Sequence, residues 1–186
     1  CGADGDPADM FGRAPTCTTL GVPAVSGICG LVALDGRELT AAPVAPVLDR
    51  LAGIGPDGAG AWAGAVGRLG VALGAARRRR VDEDAADRQP LVDDERGLTA
   101  VGDVVLDNRP ELCRALGLAD TGDLTDLAVV VEAYWRWGEG CAGRLFGEVA
   151  VAVADRGRGG DRQGRHRLHL ADRRRHARRQ PRAHGL

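Results

Sequence analysis

The stretch SGICGLVALDG, residues 26–36, decides how this chain is read. From Ser26 to Leu34 it is apolar and uncharged, and the turn pair Asp35-Gly36 stops it. A short apolar run ending in a turn signal predicts a strand buried on both faces.

Upstream, residues 1–25 are rich in Gly, Pro, Ala and Thr and show no periodicity. They are expected to be a disordered leader or a mis-annotated start. Downstream, Val44, Val47, Leu48 and Leu51 recur at helical spacing, which predicts a helix over 43–52 followed by a loop from Gly53 to Gly60. Val66–Ala75 and Leu98–Leu106 are strand candidates. Asn108 followed by Glu111 resembles a capping box opening a short helix that Gly117 closes. Leu127, Val130, Val131 and Tyr134 form the stripe of another helix, with Thr125 as N-cap and Gly138 as stop. In Leu145–Ala154, Val149, Val151 and Val153 fall on one face and Ala150, Ala152 and Ala154 on the other. That alanine face admits a second layer at close range. Strand, helix, strands, helix, helix, strand does not alternate as a parallel fold does, so the class is α+β, sheet against helices. After Asp155 the pattern dissolves into Arg, His, Gly and Gln, and residues 156–186 are expected to be an Arg-rich disordered or frameshifted tail.

A chain of 186 residues is expected to carry one domain with a real core. No apolar run approaches the roughly 20 residues of a membrane span, so no membrane partner is expected. Basic charge is entirely arginine, as in a GC-rich coding sequence, which makes arginine counts weak functional evidence. The net charge of −1 is uneven: eleven arginines against Asp161 and Asp172 give residues 156–186 a charge of +9, leaving −10 in residues 1–155. All four histidines also lie in that tail, so catalysis in the body needs another base. The tail has no aromatic residue for base stacking, which argues against a nucleic-acid partner. Five cysteines without paired spacing point to no metal site, to reduced thiols and to a cytoplasmic location.

Ser26-Gly27-Ile28-Cys29-Gly30 resembles the opening Cys-Gly-Ile-x-Gly of the N-terminal, class II glutamine amidotransferase domain of the asparagine synthetase (glutamine-hydrolysing) family. Gly55-Pro56-Asp57-Gly58 is similar to its Arg-Gly-Pro-Asp-Gly loop, with Ile54 in place of the arginine. Leu73-Gly74, Arg77, Gln89-Pro90, Asp107-Asn108, Glu111-Leu112, Asp126, Tyr134, Trp137-Gly138 and Leu145 through Asp155 continue the register, so the resemblance covers residues 26–155. It implies an N-terminal-nucleophile hydrolase-type αββα four-layer sandwich.

In that family an N-terminal cysteine attacks the glutamine amide with its own α-amine as base. An Asn-Gly pair stabilises the oxyanion, and an arginine and an aspartate hold the substrate's α-carboxylate and α-amine. The resemblance puts the nucleophile position on Ser26, since Cys29 occupies the variable position of the motif and points to the other strand face. It puts the oxyanion pair on Asp103 and Val104, and the substrate clamp on Arg77 and Asp126. A serine is a weak nucleophile without strong activation, and a carboxylate opposes an oxyanion where an amide NH₂ should donate. Cys1-Gly2 also opens as Cys-Gly but lacks the strand that should follow it. Such a degenerate site is similar to relatives that form amides without glutamine-derived ammonia, the β-lactam synthetases and the lasso-peptide cyclases. Asp103 to Arg109 looks most like the cyclases.

The expected function is therefore a glutaminase-like part of an amide-forming enzyme of lasso-peptide cyclase type, inactive alone. Its expected partners are glutamine or another amino acid, a precursor peptide and a separate synthetase domain, and ATP and Mg²⁺ are expected only in that domain. Two alternatives stay open: a non-catalytic amino-acid or protein-binding module, and a still active glutamine-hydrolysing subunit of an asparagine synthase.

Overall fold

The computed structural model describes residues 26–78, 88–157 and 167–173. Strand β1 (Gly27–Ala33) is followed by a 3₁₀ turn at Ala42–Val44 and helix α1 (Ala45–Leu51). The hairpin β2 (Ala59–Val66) and β3 (Leu69–Ala76) completes a three-stranded antiparallel sheet in the order β1-β3-β2. Strands β4 (Leu91–Asp93), β5 (Leu98–Leu106), β6 (Gly147–Asp155) and β7 (Arg167–Arg173) form a second antiparallel sheet in that order. Between β5 and β6 the chain makes helices α2 (Arg109–Leu116) and α3 (Asp126–Trp137) and a 3₁₀ stretch, Gly138–Arg144.

The alternation in β6 shows why these elements stack. Val149, Val151 and Val153 join a cluster with Leu112, Leu127, Val130 and Tyr134 of the helices. Ala152 and Ala154 face the other way, against Val71, Leu73 and Ala75 of β3 and Val101 of β5. Large residues fill the wide gap beneath helices, and small ones let two sheets approach to about 10 Å. A third cluster closes the far side of the first sheet, where Val44 and Leu48 cover Ala72 and Ala76. The layers run α1, sheet, sheet, α2 and α3, an α+β sandwich of αββα order.

Helix ends follow their chemistry with one exception. Thr125 Oγ1 accepts from Ala128 N–H at 3.2 Å, capping α3, and Gly117 and Gly138 end α2 and α3. Asn108, expected as the side-chain cap of α2, makes no cap bond. Its carboxamide instead receives Phe146 N–H at 3.0 Å and donates to the carbonyl of Arg144 at 2.9 Å. Asn108 therefore pins the entry to β6, and Pro110, which has no N–H to satisfy, occupies the first turn of α2.

Two expectations change. The strand read as Val66–Ala75 is the second arm of a hairpin, and β2 occupies residues assigned in part to a loop. The ordered sheet does not stop at Asp155: β7 pairs with β6 along its length, from Asp155↔Arg167 to Val149↔Arg173. Leu168 packs between the sheets and Ala171 against the helix-side cluster, so part of the predicted tail belongs to the core. The expectations for residues 1–25 and 174–186 lie outside the described residues.

Candidate functional site

Gly27 pairs with Ala76, so Ser26, just before β1, lies across from Arg77, just after β3. Arg78 N–H donates to Ser26 Oγ at 3.2 Å and extends this register by a side-chain bond. Ser26 alternates with Ile28, which packs between the sheets, whereas Cys29 sits with Leu48 on the α1 side. Burial raises the Cys29 thiol pKa. Ser26, just before β1, thus continues the Ile28 face toward the sheet interface, and its oxygen already accepts a donor.

Arg77 is held by the Gly55–Gly58 loop. Asp57 N–H donates to the Arg77 carbonyl at 2.9 Å, and Arg77 N–H donates to the Gly58 carbonyl at 2.7 Å. Gly58 has a φ of +145°, and a Cβ there would stand 2.7 Å from Arg77 Nη2. The positive φ favours glycine here, and the missing side chain lets the guanidinium lie against this backbone. Among the described residues that guanidinium enters no ion pair. Arg77 is half-buried and hydrogen-bonded through its backbone to the Gly55–Gly58 loop, an arrangement suited to holding a carboxylate.

Asp103 and Val104 stand in β5 opposite Ala150 and Val149. Val101 packs between the sheets, so Asp103, two residues on, occupies that same face, and Val104 turns toward the helix-side cluster. The residue before them is held by Gln89. Gly102 N–H donates to Gln89 Oε1, and Gln89 Nε2 donates to the Gly102 carbonyl, both at 2.8 Å. The β4–β5 register, which begins at Leu91↔Ala100, puts Gln89 level with Gly102, so its carboxamide supplies the next ladder step in place of backbone. The Gln89 carbonyl also lies 2.1 Å from where a Cβ of Gly60 would be, which confines that β2 position to glycine. Gln89 therefore joins β5 of one sheet to β2 of the other, and Gly60 pairs with Ala75 next to the Arg77 end of β3. Through it, Ser26, Arg77 and Asp103 lie toward one end of the sandwich.

Asp126 has different company. As the first residue of α3, its Oδ2 accepts Leu106 N–H at 2.8 Å and its Oδ1 pairs with Arg109 Nη1 at 2.6 Å. Arg109 also pairs with Asp120 at 2.7 Å and donates to the carbonyl of Leu124. Burial works against the Arg109 charge, but hydrogen bonds to Asp120 and Asp126 and their negative charges outweigh it and raise its pKa. A carboxylate held this way ties α3 to the end of β5, and Arg109 shares its one charge between Asp126 and Asp120.

Two of these side chains carry no local signal in the sequence. Gln89 stood out only as half of a Gln-Pro motif, and Arg109 only as the end of the Asp103–Arg109 stretch. Their partners lie 13 and 17 positions away, beyond any local pattern.

No helix among the described residues is long and apolar enough to cross a membrane. A search of curated protein sequences returned no match. The sequence profile of the glutamine amidotransferase domain matches residues 25–173, from the residue before Ser26 to the last of β7. With that match running through every strand of both sheets, the chain belongs to the glutamine amidotransferase domain family.

Proposed function

We propose that this chain is the glutaminase-like part of an asparagine synthetase-type amide-forming enzyme, closest to the lasso-peptide cyclases, with its glutamine-hydrolysing site decayed. The observation that carries the reading is the unequal state of the site. The Arg77 seat is built from two backbone bonds and a glycine at positive φ, while Asp103, where an oxyanion donor is needed, is a carboxylate on the interface face. An acyl-transfer oxyanion is stabilised by aimed donors, and loss of one costs about 10²- to 10³-fold in rate. A negative charge there acts in the same direction and further. At Ser26 the hydroxyl receives Arg78 N–H, which draws on the lone pair an attack would use. The Ser26 nitrogen becomes a free amine, and so a base, only when the residues before it are removed.

In this reading the amide bond is made by a separate synthetase domain, which binds ATP and Mg²⁺ and activates a carboxylate in a precursor peptide. The present domain supports that partner and keeps a binding site for part of an amino acid or peptide. Reduced thiols at Cys29, Cys113 and Cys141 support a cytoplasmic setting.

The test uses a protein beginning at residue 26. The unmodified protein is expected to release no ammonia from glutamine. Ser26→Cys alone changes little, and the triple change Ser26→Cys, Asp103→Asn, Val104→Gly restores ammonia release at high glutamine, which Arg77→Ala then removes. Ammonia from the unmodified protein at the rate of the triple variant would overturn the proposal. A folded but silent triple variant, checked by circular dichroism, would overturn the assignment of the oxyanion positions.

A further inference from the structure

A cavity of about 170 Å³ opens between α3, the Gly138–Arg144 stretch and strands β6 and β7. Leu145, Val151 and Val153 form its apolar wall. Val151 and Val153 alternate along β6 with Ala152 and Ala154, which pack against the first sheet. The cavity therefore lies on the opposite face of the second sheet from the interface that Ser26 and Asp103 face. A hollow walled by apolar side chains forgoes packing contacts, and an apolar group of matching size restores them. An apolar cavity of about 150 Å³ takes one benzene ring, so this one has room for a single ring or a branched chain.

One end of the cavity is polar. His169 of β7 and Glu139 both border it, with Nδ1 of the histidine 3.8 Å from Oε1 of the glutamate. The Glu139 side chain is 61% exposed and marks the mouth, while His169, at 22%, sits further in. The Tyr134 ring stands 5.1 Å from the imidazole, and its hydroxyl donates to Asp155 Oδ2 at 3.0 Å. Tyrosine thus spends its donor elsewhere and offers the cavity its ring. Among the described residues around the cavity there is a carboxylate and no arginine. A ligand's polar end at that mouth meets negative charge beside an aromatic ring, which favours a cation and opposes an anion.

We propose that this cavity binds a small primary amine carrying one ring or a branched alkyl group, with the apolar body against Leu145, Val151 and Val153 and the ammonium beside Glu139. No bond is made or broken there. The site is independent of Arg77 and of the glutaminase reading. Because β7 is the edge strand of its sheet, a ligand touching both α3 and β7 ties that edge to the helix layer.

The full chain is titrated at pH 8 by ligand-observed NMR with benzylamine, benzyl alcohol and benzoate, which share a ring and differ in the charge at its end. Benzylamine is expected to bind with a Kd of about 1 mM or tighter. Benzyl alcohol should bind about three- to fivefold more weakly, as an exposed ion pair allows, and benzoate about tenfold more weakly or less. Glu139→Gln should remove the advantage of benzylamine over benzyl alcohol. Ala142→Leu, at a part-exposed position of the cavity wall, should fill the space and abolish binding of both, and Arg77→Ala should change neither. Benzylamine should also slow amide hydrogen exchange in β7. Three results would overturn the proposal: no saturable benzylamine binding by about 10 mM, benzoate binding as tight as that of benzylamine, or benzylamine binding undiminished in an Ala142→Leu chain of native urea stability. Should Ala142→Leu fail to fold, Glu139→Gln decides at an exposed side chain, where an undiminished preference for benzylamine has the same force.

Discussion

Replacing Gln89 by alanine removes a side chain that continues the β4–β5 ladder past Ala100. Two hydrogen bonds of 2.8 Å are lost, each worth about 1 kcal/mol net. Gly102 is buried, so its N–H and C=O do not simply return to water, and an unmet buried backbone group costs about 1–3 kcal/mol. Partial entry of water limits the sum, and the expected loss is about 2–4 kcal/mol. Against a total stability of about 5–15 kcal/mol that is a large share. For a chain of this size it lowers Tm by roughly 5–15 °C. Urea unfolding followed by tryptophan fluorescence and circular dichroism measures it.

Gln89→Glu refines the test, because the introduced carboxylate accepts from Gly102 N–H but faces the Gly102 carbonyl with no proton to donate. Its folded pKa is therefore raised above the unfolded value of about 4.3. A group of that kind contributes its full stability below the unfolded pKa and loses it as pH rises through the folded pKa. Relative to the native chain at the same pH, Gln89→Glu should be weak at pH 7 and recover toward pH 4. An alanine variant losing under about 1 kcal/mol, or a glutamate variant with no such recovery, would refute the ladder role.

Two other perturbations follow from the same geometry. Gly58→Ala puts a side chain at a φ of +145° and should cost about 1–3 kcal/mol in urea unfolding, the Arg77 guanidinium swinging aside from the new Cβ; a loss under about 0.5 kcal/mol would refute the strain at this position. Burial raises the thiol pKa of Cys29, Cys113 and Cys141, so each should react slowly with an aromatic disulfide at pH 7, faster as pH rises, and fastest in urea; rapid native labelling of Cys113 mapped by mass spectrometry would contradict its placement in the core.

What could be read from the sequence depended on contrast between neighbours. β6 was legible because valine and alanine alternate strictly, and the two sizes sort onto two interfaces of different width. β2 was not, because in AGAWAGAV only Trp62 and Val66 stand out and small residues lie on both faces. β7 hid among arginines: its pattern is Leu168 toward the other sheet, and His169 and Ala171 toward the helices, with Leu170 exposed at the border. Its stability comes from pairing with β6 rather than from its own composition, and pairing at that distance leaves no local mark. The Asn108 cap failed for a related reason, since a carboxamide that fits a helix N-terminus fits two backbone groups of a crossing strand equally well.

The site follows the same rule at finer scale. Ser26, Arg77 and Asp103 are carried by backbone register, and an ordered set of motifs conveys register well. The state of Asp126 is carried by a side chain, Arg109, one of 25 basic residues in a chain with no lysine, and nothing in its sequence neighbourhood sets it apart. An aspartate at the first turn of α3 has the same helix-dipole support whether it serves as a strut or as a clamp. What decides between them is the charge beside it. The Arg109 guanidinium at 2.6 Å and Leu106 N–H at 2.8 Å hold its two oxygens, so its role as a strut becomes visible only once the fold is built.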